Sequence, residues 1–321
     1  MSFYFKVFQF LIFFTLLFGL FPSVSLAWNK LGHMTVGAIA YQDLNKTDST
    51  QLKKLVNILK KHPDYEKIWK DIVEYSQQDE GLILFMYASR WADDLDKSET
   101  QTSETHYIDY PYVINEGTET VKAKHPKSKN IETTFKKYFD LFNTTTAEKE
   151  KAKALAWLFH LIGDAHQPLH SISLFSKKFK KGDEGGKNFR VKFVISDSSS
   201  LHYFWDSAVI NGDINKIADE KSVQIIEKAN YLLIEFPKDS FSEKIEFTSF
   251  PTFINESYDI AKNKVYQPII LDNPNLNYST EEYKIKMAQY EKESSLLAEK
   301  RLTLAGYRLA NICNKLATNL P

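Results

Sequence analysis

His160 and Asp164 stand four residues apart, and so do His202 and Asp206, so on a helix the members of each pair share one face. An imidazole nitrogen and a carboxylate oxygen on one face can grip a cation together, or simply hydrogen-bond to each other. One such pair says little, because eight histidines in a chain where about one residue in eight is acidic should give about one pair by chance. The neighbours change this. Six residues after Asp164, beyond Gln167-Pro168, comes His170, where the proline breaks the helix and redirects the chain towards a third donor. Trp91-Ala92-Asp93 closes another apolar run on a carboxylate, Thr105-His106-Tyr107-Ile108-Asp109 follows it, and Trp28-Asn29-Lys30-Leu31-Gly32-His33 supplies a histidine further upstream. Imidazoles and carboxylates are the ligands that zinc takes when no thiolate is offered, and there are enough here for more than one ion. His62, His125 and His166 fit no ligand position. The first two read as exposed or locally hydrogen-bonded, and His166 as a residue supporting the ligands beside it. The lysines between Lys177 and Lys181 read as a solvated face.

These donors need rigid elements to hold them. Helical periodicity runs through Gly32–Leu44, Thr50–Leu59, Gly81–Ala92, Lys149–His166 and Glu282–Ala317. Gly182-Asp183-Glu184-Gly185-Gly186 is turn chemistry, and the alternation Phe189, Val191, Phe193, Ile195 after it predicts a short strand or β-hairpin. Loops are expected over Tyr107–Asn130 and Phe236–Pro251. No internal repeat or low-complexity linker divides the chain. The expected architecture is mostly α, a single compact multi-helix domain with a short β-hairpin.

The 321 residues include 41 basic and 41 acidic side chains, so the broad cationic surface by which most nucleic-acid binders hold phosphates is excluded. Any phosphate chemistry needs positive charge from another source. Residues 1–27 carry only Lys6 and an apolar stretch from Val7 to Leu20, ending in Ser25-Leu26-Ala27. This reads as a secretory signal peptide cut before Trp28, leaving residues 28–321 as the working domain. No second apolar run could span a bilayer, so no stable membrane association is expected. The sequons at Asn45, Asn143, Asn255 and Asn277 are candidate glycosylation sites that suit this route. Cys313 is the only cysteine, so an intramolecular disulfide is impossible and stability must come from the core or from bound metal.

Taken in chain order, the segments from Trp28 to His33, Trp91 to Asp93, Thr105 to Asp109, His160 to His170 and Leu201 to Asp206 resemble the secreted zinc-dependent nucleases of fungi and plants, the S1/P1 or class I type. That family is distantly related to bacterial zinc phospholipases C. The resemblance spans Trp28–Asp206 by motif and extends to Leu304–Ala310 near the end. It implies a helical domain of phospholipase C/nuclease type holding three zinc ions. Asp93, His106, His160 and Asp164 would hold the first, with Asp93 and Asp164 carrying the catalysis. The amino nitrogen and carbonyl oxygen of Trp28, with His33 and a shared Asp164, would hold the second, which makes signal removal part of the chemistry. His170, His202 and Asp206 would hold the third. The implied activity is hydrolysis of single-stranded DNA and RNA to 5′-phosphorylated products, with a 3′-nucleotidase activity.

By the same resemblance, Tyr107 would stack on a nucleobase and Asp109 would accept from its amino group. Two departures matter. The position three after the Trp-Ala-Asp aspartate, often basic in the family, is Asp96, with Lys97 beside it as the candidate phosphate contact. The family's glycine-glycine-asparagine becomes Gly185-Gly186-Lys187-Asn188, so Asn188 is a candidate substrate contact displaced by one residue. A monomer, secreted or delivered to a lysosome or vacuole, is expected. The alternatives are a zinc phospholipase C acting on choline-type head groups, and a non-catalytic metal-binding protein on the same scaffold.

Overall fold

Helix α1 (Lys30–Thr47) is buried without interruption from Leu31 to Tyr41. A helix with no solvent face must lie at the centre of its domain. It packs between α4 (Glu80–Asp94) and α11 (Glu281–Thr318). A Cβ at Gly37 would lie 2.4 Å from the Phe85 carbonyl oxygen, so only glycine allows α1 and α4 to cross this closely. The computed structural model describes residues 28–95, 103–115, 120–209, 219–270 and 280–320. Around the central pair lie α2 (Ser49–Leu59), α3 (Lys70–Ser76), α5 (Ile131–Thr144), α6 (Glu148–Ala165), α7 (Leu201–Ser207), α8 (Asp219–Glu235), α9 (Phe250–Ile260) and α10 (Gln267–Ile270). One apolar core runs through them, and the fold is mostly helical as expected. The candidates Lys97 and Asn277, the departure at Asp96 and the signal segment 1–27 lie outside the described residues. Among the described residues no helix is long and apolar enough to cross a membrane.

The five expected helices are present, with ends shifted by one to three residues. The hairpin is not. The described strands are β1 (Tyr110–Val113) and β2 (Ile172–Phe175), and they pair in parallel, Tyr110 opposite Ile172 and Val113 opposite Phe175. Residues 189–195 do alternate, with Val191 and Phe193 inward and Arg190 and Lys192 outward, but their backbone has no strand partner. The Glu291 carboxylate on α11 accepts from the N–H groups of Val194 at 2.5 Å and Ser196 at 2.7 Å. Tyr283 donates to the Lys192 carbonyl oxygen at 2.5 Å. The alternation is that of an extended segment laid on a helix, and side chains on α11 satisfy polar groups that a second strand would have taken.

Two further expectations are settled by burial. The lysines of 177–181 are exposed, and so is His125. His62 is 3% exposed, stacked on Trp69 and edge-on to Trp91, and its Nδ1 accepts from the Asp64 N–H at 3.1 Å. Burial pushes this imidazole down from 6.5 to about 4. Below pH 6.5 the unfolded chain therefore takes up a proton that the native state refuses until about pH 4, so stability is full above 6.5 and falls as the pH drops towards 4. Urea unfolding at pH 7 and pH 4.5 should show wild type losing about 2 kcal/mol more than His62→Phe, which keeps the stacking but cannot titrate. Equal losses would remove His62 from the acid response.

Candidate metal centre

Four separate parts of the chain deliver histidines and aspartates to one buried region. His33 sits on the first turns of α1, which starts where the Asn29 side chain accepts from the Gly32 N–H at 3.0 Å. Asp93 lies at the end of α4, and His160 and Asp164 lie four apart on the buried face of α6. His106 ends a short 3-10 turn, Ser103–His106. The parallel pairing of β1 with β2 holds that turn against His170: Ile108 N–H donates to the His170 carbonyl at 2.8 Å, and His170 Nδ1 bonds the His106 carbonyl at 2.8 Å. The small sheet thus joins two segments more than sixty residues apart and sets two of the donors.

The first group is crowded in a way that hydrogen bonding alone does not explain. Asp164 points Oδ1 at His33 Nε2, 3.3 Å away, and Oδ2 at His160 Nε2 and His106 Nδ1, at 3.2 and 3.1 Å. Asp93 divides its oxygens in the same way, Oδ1 3.5 Å from His160 Nε2 and Oδ2 3.9 Å from His33 Nε2. His106 Nδ1 lies 2.9 Å from His160 Nε2. Ligands at about 2.1 Å around a tetrahedral cation are separated by about 3.4 Å, close to this spread. Nearby, His170, His202 and Asp206 form a second buried group, with His202 Nε2 3.4 Å from Asp206 Oδ2. Donor atoms in each of the triads His33/His160/Asp164, Asp93/His106/His160 and His170/His202/Asp206 lie within 4.8 Å of one another. Trp28 is fully buried, and Asn29 N–H donates to the Asp206 carbonyl at 2.9 Å, tying the start of the described chain to α7.

These residues fit metal on a direct test. Both ring nitrogens of His33, both oxygens of Asp93, Oδ1 of Asp164 and Nε2 of His170 and His202 are buried without a hydrogen-bond partner. Leaving one buried polar atom unpaired costs about 1–3 kcal/mol, so so many together point to cations as the missing partners. The opposite edges of the rings are anchored. Nδ1 of His160 bonds the Ser89 carbonyl at 2.9 Å, and Nδ1 of His202 bonds that of Gly185 at 2.6 Å. With Nδ1 donating, Nε2 is left with a free lone pair facing the centre. Burial lowers His33, assisted by the charge of His160; it takes His170 down to about 4 and His202 well below its usual value, all towards the neutral form a metal requires. His160 goes the other way: burial opposes its charge, but Asp164 and Asp93 outweigh it and raise it to about 9. A cation entering this group takes the place of that proton.

Several supporting residues carried no sequence signal. Gln167, the residue before the helix-breaking proline, donates to Asp206 Oδ1 at 2.6 Å while accepting from the Leu169 N–H at 2.5 Å. His166 turns away from the donors. Its Nδ1 bonds the Ile162 carbonyl, and its Nε2 lies 3.0 Å from Arg308 Nη1. Arg308 grips Glu256 through two bonds of 2.6 and 2.8 Å, fastening the end of α6 to α9 and α11. The readable signal for this network was a pair of arginines seven apart in an otherwise apolar stretch, Arg301 and Arg308.

Gly163 gives a local test. A Cβ there would lie 2.7 Å from His33 Nδ1. Alanine stabilises a helix by about 1 kcal/mol relative to glycine, so propensity favours Gly163→Ala while the His33 ring opposes it. We expect Gly163→Ala to weaken divalent-metal affinity about 10- to 100-fold in a titration. Unchanged affinity would show that His33 is not held where the cation sits.

The candidate substrate residues lie beside these donors. Tyr107 is half-buried, with its ring edge-on to His170 at 6.4 Å. Burial raises Asp109 to about 6 against the pull of the Lys187 ammonium. Lys187 Nζ stands 4.8 Å from the centroid of the Tyr107 ring, whereas Asn188 is exposed, with its N–H bonded to the Asp183 carbonyl. The sequence reading treated Lys187 as an inserted residue and missed its position.

A family model described as S1/P1 Nuclease matches residues 28–318. Endonuclease 4 of Arabidopsis thaliana is 26% identical over 318 residues, covering 92% of this chain and 91% of that protein. Endonuclease 5 of the same plant is 25% identical over 319 residues, covering 92% and 93%. Nuclease S1 of Aspergillus oryzae is 21% identical over 303 residues, covering 90% and 91%.

Proposed function

This chain belongs to the S1/P1 nuclease family, and we propose that it is a trinuclear-zinc endonuclease cutting single-stranded DNA and RNA to 5′-phosphorylated products, with 3′-nucleotidase activity. The observation carrying this reading is the set of buried, partnerless ring nitrogens and carboxylate oxygens around Asp164 and around His202. Asp93, His106, His160 and Asp164 would hold one zinc; His33, the shared Asp164 and the amino nitrogen and carbonyl oxygen of Trp28 a second; His170, His202 and Asp206 a third. Zinc would supply Lewis acidity, acidifying water near neutral pH and offsetting charge at the leaving oxygen. Six positive charges against Asp93, Asp164 and Asp206 would make the cleft locally cationic in a protein without net charge.

The chain's own part is placement. Asp93 and Asp164 direct two oxygens each towards different histidines, which suits carboxylates shared between sites. Tyr107 offers a ring on which an unstacked base can lie, worth about 1–3 kcal/mol per base and indifferent to sequence. That requirement favours single strands. Water attacks phosphorus and the P–O3′ bond breaks, leaving a 3′-hydroxyl on one product and a 5′-phosphate on the other. The same bond is broken when a 3′-nucleotide loses its phosphate, so one site serves both reactions.

We also propose that residues 1–27 are removed in the secretory pathway, freeing the Trp28 amine, and that the product is a monomer, secreted or held in a lysosome or vacuole. Asn45, Asn143 and Asn255 are exposed and accessible to glycans. Hydrolysis of a single-stranded oligonucleotide, the matching duplex and phosphatidylcholine under one condition tests the substrate class. Cleavage of the single strand well ahead of the other two is expected. Lipid cleavage without nucleic-acid cleavage would favour the phospholipase reading.

A further inference from the structure

Gly185 and Gly186 adopt φ of +61° and +84°, a region that side chains other than glycine rarely tolerate. Their turn wraps around His202. The Gly185 carbonyl accepts from His202 Nδ1 at 2.6 Å, the Gly186 carbonyl accepts from the His202 backbone N–H at 3.3 Å, and a Cβ at Gly185 would lie 2.5 Å from the Leu169 carbonyl. The backbone is thus fixed on both sides, and the next residue it delivers is Lys187. The Lys187 ammonium lies over the Tyr107 ring, and its charge acts on Asp109, Glu184 and Asp206. The neighbouring cation Lys127 is already taken up by Glu104.

An ammonium that donates and a carboxylate that accepts therefore flank one aromatic ring. Guanine is the base whose edge best matches this pair. It presents two adjacent N–H donors, N1–H and the N2 amino group, which one carboxylate can accept together, with the O6 carbonyl beside them for a cationic donor. Adenine has one amino group and no carbonyl. We infer that Lys187 is a specificity-determining residue, donating to O6 of a guanine that lies on Tyr107 and bonds Asp109, so that the enzyme cuts preferentially at guanine. This rests on the nuclease reading above and adds to it a preference that a stacking ring alone would not give. A lysine cannot act as an asparagine would: with no acceptor it cannot turn to suit an amino group.

The test uses the mature, zinc-loaded protein and an unstructured single-stranded oligonucleotide of mixed sequence, with cleavage positions and rates read by mass spectrometry. Wild type and Lys187→Arg should cut at guanine about tenfold faster than at adenine, and Lys187→Met should bring that ratio to about one. Titration with 5′-GMP and 5′-AMP should show the same contrast without catalysis, so a turnover defect in Lys187→Met cannot imitate the result. A wild type with no guanine preference would overturn the inference. So would a Lys187→Met variant that slows cleavage at all bases by one factor, the mark of a phosphate contact. A wild type that cuts no oligonucleotide at all would remove the nuclease reading and this inference with it, whereas cleavage without base preference removes this inference alone.

Discussion

Asp164→Asn is expected to reduce hydrolysis of single-stranded DNA by at least about 10³-fold while leaving a folded protein. The substitution keeps the shape of the side chain and removes its charge. Asp164 is fully buried and lies within 3.3 Å of ring nitrogens from three histidines, His33, His106 and His160. The histidine charges and hydrogen bonds around it hold its carboxyl well below the usual range, against the opposing effect of burial, so it is ionised throughout the physiological range. An asparagine offers one weakly donating oxygen and an amide that would point N–H groups at a neighbouring ligand nitrogen or cation. Both zinc ions that share this carboxylate should be lost or weakly held, and metal content should fall along with the rate. Retention of more than a tenth of wild-type activity would mean that the chemistry lies elsewhere.

The second large effect concerns the fold itself. Stripping divalent metal with a chelator should lower the melting temperature by about 10–20 °C, in addition to abolishing activity. A ligand present at about a thousand times its Kd stabilises by about 4 kcal/mol per site, and about 1 kcal/mol moves the midpoint by about 2–4 °C in a domain of roughly this size. Nothing covalent compensates, since the single cysteine, Cys313, is buried alone. Without metal, Asp93, Asp164 and Asp206 are buried carboxylates set among neutral or partly charged imidazoles, and α1, α4, α6 and α7 lose the centre on which they converge. A midpoint that chelation leaves in place would show that the core alone holds these helices together.

What the sequence made legible follows from which interactions are local. The helices bearing His33, Asp93, His160 and Asp164 announce themselves by period, and a histidine four residues from an aspartate needs only the helix to bring the two together. The Pro168 break likewise foretells that His170 leaves the helix direction. What could not be read depends on pairings between distant segments. No pattern in Tyr110-Pro111-Tyr112-Val113 says that it will lie parallel to Ile172–Phe175, yet that pairing sets His106 against His170. The alternation at residues 189–195 was read as one strand of a hairpin, because alternating burial looks alike whether the polar backbone meets a strand or the Glu291 carboxylate. Lys187 was the costliest omission. Two glycines with positive φ fix its place, and composition shows the glycines but not the side of the turn on which the next residue emerges.

The central claim is that the missing positive charge of an electrically balanced chain is carried by zinc. Elemental analysis of the purified mature protein, with its N-terminal residue determined on the same sample, tests this most directly. The account predicts three zinc ions per chain and a first residue of Trp28. A chain that begins at Trp28, folds and cuts DNA while holding no zinc would contradict it.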